Sequence, residues 1–137
     1  MTTALKLVSA RQCPTVAYID IVLANMTTTV DVNIIEVPQG AVIIEGNVVT
    51  TEAWNSTSTD VLDVGDAGSQ NRYLNDGNIR ALAALVALVP TGYAYTAPTK
   101  LTARWVSGGG SPTTGKARIR VMYYVQGRAE FAQGLDA

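Results

Sequence analysis

The chain contains no histidine and one cysteine, Cys13. The first absence removes Ser-His-Asp and Cys-His nucleophilic arrangements, imidazole proton shuttles and imidazole metal sites. The second removes an intramolecular disulfide, and a single thiolate is too few for the cysteine sets that hold zinc or iron-sulfur clusters. Cys13, beside Pro14, therefore reads as a small apolar side chain rather than a reactive one. Charge is scarce too, at 15% of residues, where an average soluble domain carries about 25%. Ten Lys and Arg against eleven Asp and Glu leave a formal net charge of -1. That is too little to draw the chain to a phosphate backbone or an anionic lipid, so neither nucleic acid nor membrane is an expected partner. An enzyme built from this sequence would have to rely on Asp and Glu pairs, and no spacing singles out an acid and a base. No catalytic residue, cofactor or metal is expected. Met1 to Ala10 carries Lys6 but only a broken apolar stretch, which is a poor secretion signal. The longest apolar run, Ala81 to Pro90, is far short of the length that crosses a bilayer. Together these features point to a protein made in a reducing cytoplasm.

What is present suits strands. The chain has 137 residues, 47% of them hydrophobic, with 12 glycines, and the rest is rich in Thr, Ser, Asn and Gln. That length fits one hydrophobic core, and that polar mixture favours strands and turns over long surface helices. Thr15 to Leu23, with Asp20 its one charge, reads as a strand. Thr27 to Val37 alternates, with Val30, Val32, Ile34 and Glu36 on one side and Thr29, Asp31, Asn33 and Ile35 on the other. Pro38-Gln39-Gly40 supplies a turn. Ala41 to Trp54 reads as two strands or as one long strand bulged at Gly46. A polar turn over Asn55 to Thr59 precedes a short strand through Val61, Leu62 and Val64, which stops at Gly65-Asp66-Ala67-Gly68.

Asn75 to Asn78 are turn formers. After them Ile79, Leu82, Leu85, Val86 and Val89 recur at helical spacing, so residues 79–89 fit a short helix. The strand-rich context fits a buried strand or irregular crossover equally well. Strand signals return at Tyr93, Tyr95 and Leu101 to Val106. The glycine-rich stretch Gly108 to Gly115 then reads as a hairpin loop into Ala117 to Val125. In that last strand Ile119, Val121, Tyr123 and Val125 face one way, and Arg118, Arg120, Met122 and Tyr124 the other. Seven to nine strands separated by frequent turn signals predict an all-β, single-domain β-sandwich over residues 1–126, with a jelly roll favoured over an immunoglobulin-like arrangement. Residues 127–137 lack periodicity and read as a tail ordered by a neighbouring subunit.

Several motifs invite chemistry. Gly108 to Gly110 lacks the Lys-Ser or Lys-Thr ending and the following helix of a phosphate loop. Asp60, Asp63, Asp66 and Asp76, with Asn75 and Asn78, carry the oxygen ligands that calcium prefers. A strand would send Asp60 and Asp63 to opposite faces, so turn roles fit these residues better. Trp54, Tyr73, Tyr93, Tyr95, Trp105, Tyr123 and Tyr124 could stack on a sugar, but strands use aromatics mainly in cores and subunit contacts. The candidate interface residues are Trp54, Tyr73, Arg118, Arg120, Tyr124 and, in the tail, Phe131.

Three segments, Val37-Pro38-Gln39-Gly40-Ala41-Val42-Ile43, Ala53-Trp54-Asn55-Ser56 through Leu62-Asp63-Val64-Gly65-Asp66, and Asn71-Arg72-Tyr73-Leu74, resemble in order a family of small virion proteins of tailed bacteriophages. Tyr93, Leu101-Thr102-Ala103, Trp105, Gly109 to Gly115 and the strand through Tyr123 extend the resemblance, which spans residues 37–125. The alanine-rich stretch Ile79 to Val89 departs from it. The resemblance implies a capsid decoration (cement) protein or head-fibre base: a jelly-roll homotrimer seated on the major capsid protein at the virion exterior, made in the cytoplasm of a bacterial host. The alternatives are a receptor- or glycan-binding module of a fibre, and a tail or baseplate subunit.

Overall fold

The strand pairings nest inside one another. In the computed structural model, which describes residues 10–128 and 131–132, β1 (Ala10–Arg11) pairs with β10 (Phe131–Ala132). Inside them β2 (Thr15–Val22) pairs with β9 (Lys116–Val125), and β3 (Asp31–Val37) with β8 (Thr99–Ser107). Innermost, β4 (Ala41–Glu52) pairs with β7 (Leu85–Ala87), and β5 (Asp60–Asp66) with β6 (Leu74–Asn78). Lateral pairing of β4 with β9 and of β5 with β8 joins these ribbons into two antiparallel sheets, β2-β9-β4-β7 and β3-β8-β5-β6. A folded ribbon wrapped into two facing sheets is the jelly-roll arrangement, so the all-β sandwich expected from the sequence is the fold of the chain. No helix among the described residues is long and apolar enough to cross a membrane.

The inner faces of the sheets make one core. Ile43 and Val48 of β4, Leu62 and Val64 of β5, Leu101, Ala103 and Trp105 of β8, and Ala117, Ile119 and Val121 of β9 are all buried in it. In β9 the alternation holds as the sequence implies: Ile119, Val121, Tyr123 and Val125 point inward, Arg118 and Arg120 are exposed, and Met122 and Tyr124 are half-buried.

Several local expectations differ from the structure, and Asn75 to Asn78, expected as a turn, lie within β6. The expected hairpin across Gly108 to Gly115 does not form, because β8 and β9 belong to different sheets. The loop instead carries the chain across the sandwich, and Gly115 lies so close to Trp54 that a Cβ there would meet the indole ring. In β3 Val32 and Ile34 pack half-buried against the core as the alternation expects, but beyond them Ile35 and Val37 are buried and Glu36 is exposed, because the register with β8 slips between Asn33 and Ile35. A slip of one residue reverses every side chain beyond it. The segment 41–52 is a single strand, one of the two readings, but its register with β9 shifts at Ile44 and at Thr51 rather than at Gly46. Gly46 is there for close approach: a Cβ would come within 2.6 Å of the Arg120 carbonyl oxygen and of Leu88 Cδ1.

Residues 79–89 form no helix, and of the two readings left open the crossover with a short strand is the one observed. Ile79 and Leu88 are buried, Leu85–Ala87 is the short edge strand β7, and Leu82, Leu85 and Val89 face outward. The backbone bonds run to β4: Thr50 N–H donates to the Ala84 carbonyl, Ala83 N–H to that of Thr50, and Leu88 N–H to that of Gly46. A helix would satisfy its own backbone but would leave the margin of β4 unpaired, with no further layer to bury its apolar stripe.

Candidate functional site

The outer face of the β2-β9-β4-β7 sheet gathers Arg118, Arg120 and Tyr124, three of the six candidate interface residues. Along β9, Arg118, Arg120 and Met122 stand opposite Asp20, Tyr18 and Val16 of β2 on one side, and Val49, Asn47 and Glu45 of β4 on the other. Leu85 and Ala87 of β7 continue these rows beside Val49 and Asn47. The Arg118 guanidinium grips Asp20 with two bonds, Nε to Oδ1 at 2.8 Å and Nη2 to Oδ2 at 3.2 Å. It also lies 5.2 Å from the centroid of the Tyr18 ring. The hydrogen bond from Arg118 holds the Asp20 carboxyl below its ordinary range, and Asp20 in turn raises the Arg118 guanidinium. Lys116 Nζ stands 3.7 Å from Glu52 at the end of the same face. Arg120, between Tyr18 and Asn47, has no ion-pair partner among the described residues.

The face is a mixed surface. Val16 is 52% exposed, Tyr18 63% and Leu85 67%, interleaved with a neutralised Arg-Asp pair and an unpaired arginine. Such a composition suits contact with another protein. Of the candidate interface residues, Arg118, Arg120 and Tyr124 share this face. Trp54 and Tyr73 do not: they are 2% and 1% exposed and have no surface to offer a partner. Trp54 packs against Trp105 with ring centroids 5.4 Å apart, and Tyr73 joins the buried network described next. The Phe131 side chain lies outside what the structure describes. Sequence reasoning missed Val16 and Tyr18, although Asp20 marks the outward parity of β2 and both residues share it.

The acidic cluster is structural. Asp60 and Asp66 stand at the two ends of β5, with Leu62 and Val64 inward between them. Asp60 accepts from the Ser56 backbone N–H at 3.2 Å, the Ser56 hydroxyl, Arg80 Nη1 at 3.0 Å and Trp105 Nε1 at 3.0 Å. Asp66 accepts from the Arg72 guanidinium, from Tyr95 Oη at 2.7 Å, and from the Gly68 and Ser69 backbone N–H groups at 3.0 and 2.9 Å. Asp63 accepts the Asp76 N–H at 2.6 Å. These oxygens face donors, and among the described residues no three acidic or thiol groups converge as a metal site. Tyr95 gives its one proton to Asp66, so Tyr73, whose hydroxyl is 2.7 Å from that of Tyr95, is the donor between the two. Burial pushes both tyrosine hydroxyls up, and they stay protonated.

Burial alone would raise the Asp66 carboxyl. The hydrogen bonds from Arg72, Tyr95 and Ser69, with the charge of Arg72, outweigh it and hold the group below its ordinary value. A carboxyl lowered by folding stabilises the native state above its unfolded pKa, near 3.9, and loses that contribution as pH falls through the folded value. The stability gap between the wild-type protein and Asp66→Asn is therefore expected to be full at neutral pH and to shrink below about pH 4. Urea titrations at several pH values measure it; a gap that stays constant into acid would contradict the assignment.

A concavity of about 680 Å³ is lined by residues that include Glu36, Val37, Pro38, Pro98 and Lys100, with no aromatic side chain among its described lining residues. It offers no platform for a sugar ring. A smaller depression of about 190 Å³ includes Tyr93 and Tyr95, but the Arg72 guanidinium already lies 3.8 Å from the centroid of the Tyr93 ring.

No family model matches the sequence, and no curated protein does. Solved structures do match in fold. A chain of the cyanophage Pam1 capsid asymmetric unit superimposes with a TM-score of 0.63 at 19% identity, over 91% of this chain and 92% of that one. A chain of the acid-stable capsid of Helicobacter pylori bacteriophage KHP30 gives 0.65 at 17% identity, over 83% and 89%. A chain from the capsid of Ralstonia phage GP4 gives 0.64 at 16% identity, over 94% and 92%.

Proposed function

We propose that this chain is a non-enzymatic structural protein of a tailed-phage virion, seated as a homotrimer on the outside of the shell of major capsid protein, where it acts as a decoration (cement) protein. The observation that carries this proposal is the fold: a jelly roll matched over 83% to 94% of its length by chains from three phage capsid structures. The rest of the molecule is consistent with it. Its buried acids are engaged in holding the sandwich together, and its most exposed apolar side chains lie on or beside one sheet. A protein that staples a shell needs surface to bury and no cofactor, and symmetry multiplies individually weak contacts through effective concentration. On this reading the outer face bearing Arg118, Arg120 and Tyr124 meets either a second copy or the capsid. A glycan-binding module of a fibre is the rival, and its strongest sequence candidate, Trp54, is inside the core.

The test is the heat resistance of expanded, undecorated capsids with and without the purified protein. Added protein is expected to raise the temperature at which the capsids release their contents, saturating at a fixed stoichiometry. Capsids that open at an unchanged temperature, together with glycan-array binding by the free protein, would favour the fibre module instead.

A further inference from the structure

The β2-β9-β4-β7 sheet has two open margins among the described residues, β2 on one side and β7 on the other. Both are apolar. Of the eight large apolar side chains exposed among the described residues, Val16 and Tyr18 lie on β2, and Leu82, Leu85 and Val89 lie on or beside β7, each of these three between 64% and 67% exposed. Exposed sheet edges are usually guarded by charge, because unpaired backbone groups flanked by apolar side chains invite another chain. Here the guard is missing: no Asp, Glu, Lys or Arg stands between Arg80 and Lys100. On β2 the one charge, Asp20, is already neutralised by Arg118 at 2.8 Å. Neither edge strand carries an unpaired charge of its own, so either can be covered without stranding one; the exposed Arg120 stands one strand in, on β9 beside Tyr18.

The placement of the margins limits how copies can meet. Joining β7 to β7 by a twofold axis would leave Val16 and Tyr18 bare, and joining β2 to β2 would leave Leu82, Leu85 and Val89 bare. A head-to-tail contact covers both margins with one kind of interface, and such contacts either close into rings or run on as filaments. We propose that copies of this chain join head to tail, the β7 margin of one against the β2 margin of the next, in a closed ring. This rests on the self-associating part of the function proposed above and not on capsid attachment.

The experiment is solution mass by light scattering on the wild-type protein and on Leu85→Asp and Tyr18→Asp, each checked for folding by circular dichroism. Wild type is expected at a single multiple of the protomer mass, and each variant alone as a monomer. An equimolar mixture of the two variants at high concentration is expected to form dimers and nothing larger, since the intact β7 margin of Tyr18→Asp can meet the intact β2 margin of Leu85→Asp while both outer ends are blocked. Leu82→Asp and Val16→Asp form a second pair should either first variant unfold. A monomeric wild type, a mixture that stays monomeric, or dissociation by only one of the two substitutions would overturn the proposal. A ring that fails to bind capsids would sink the decoration role and leave this interface standing. A monomer that protects capsids would do the reverse.

Discussion

Asp60→Ala is expected to lower stability by about 3 kcal/mol, read as a fall of roughly 10 °C in melting temperature for a domain of this size. Asp60 is wholly buried and is the shared acceptor for Ser56, Arg80 and Trp105. Removing the carboxylate leaves the Trp105 N–H and the Ser56 hydroxyl and backbone N–H competing for fewer acceptors in a dry site, each orphaned donor costing about 1–3 kcal/mol. The Arg80 side chain is 36% exposed, so water can take over its charge. That keeps the estimate at the lower end of the 3–5 kcal/mol seen when a buried pair is broken. Asp60→Asn retains the shape and one acceptor oxygen and should lose less than alanine does. Denaturant melts of the three proteins give the comparison; a loss below about 1 kcal/mol for alanine would mean that the network is not holding this end of the sandwich.

The second large effect is at Trp54. Trp54→Ala is expected to cost about 3–5 kcal/mol, the range for emptying a buried tryptophan site. Its ring lies against Trp105 and beneath Gly115, so the cavity opens where the loop crosses between the sheets. The same substitution on a surface platform for sugars would change stability by no more than about 0.5 kcal/mol and abolish binding. Thermal denaturation therefore separates a core residue from a ligand platform without any ligand in hand.

These two residues also show where the sequence was legible. Parity carried the reading of β9: the alternation of Arg118, Arg120, Met122 and Tyr124 with Ile119, Val121, Tyr123 and Val125 survives intact because no bulge interrupts the strand. Parity failed in β3, where a one-residue slip at Ile34 turned Ile35 inward and Glu36 outward. Residue type without parity failed as well. Trp54, at the end of the stretch Ala41 to Trp54, and Tyr73, in a turn-rich one, were read as interface residues from their aromatic chemistry, and both are buried. The helical spacing of residues 79–89 was real, but the demand of β4 for a partner strand is a tertiary fact that no local pattern records. The same holds for the loop from Gly108 to Gly115, whose glycines fit a hairpin and a crossing of the sandwich alike. Among the candidate interface residues, Arg118, Arg120 and Tyr124, read on an uninterrupted strand, share the one outer face that their parity gave, whereas Trp54 and Tyr73, read from chemistry alone, are buried.

Electron microscopy of undecorated capsids mixed with the purified protein tests the proposed attachment to a phage shell most directly. Decoration predicts added density at symmetry-related positions on the outer surface, with the same number of copies at every position once protein is in excess. Bare capsids at micromolar protein, or density confined to the tail, would contradict it.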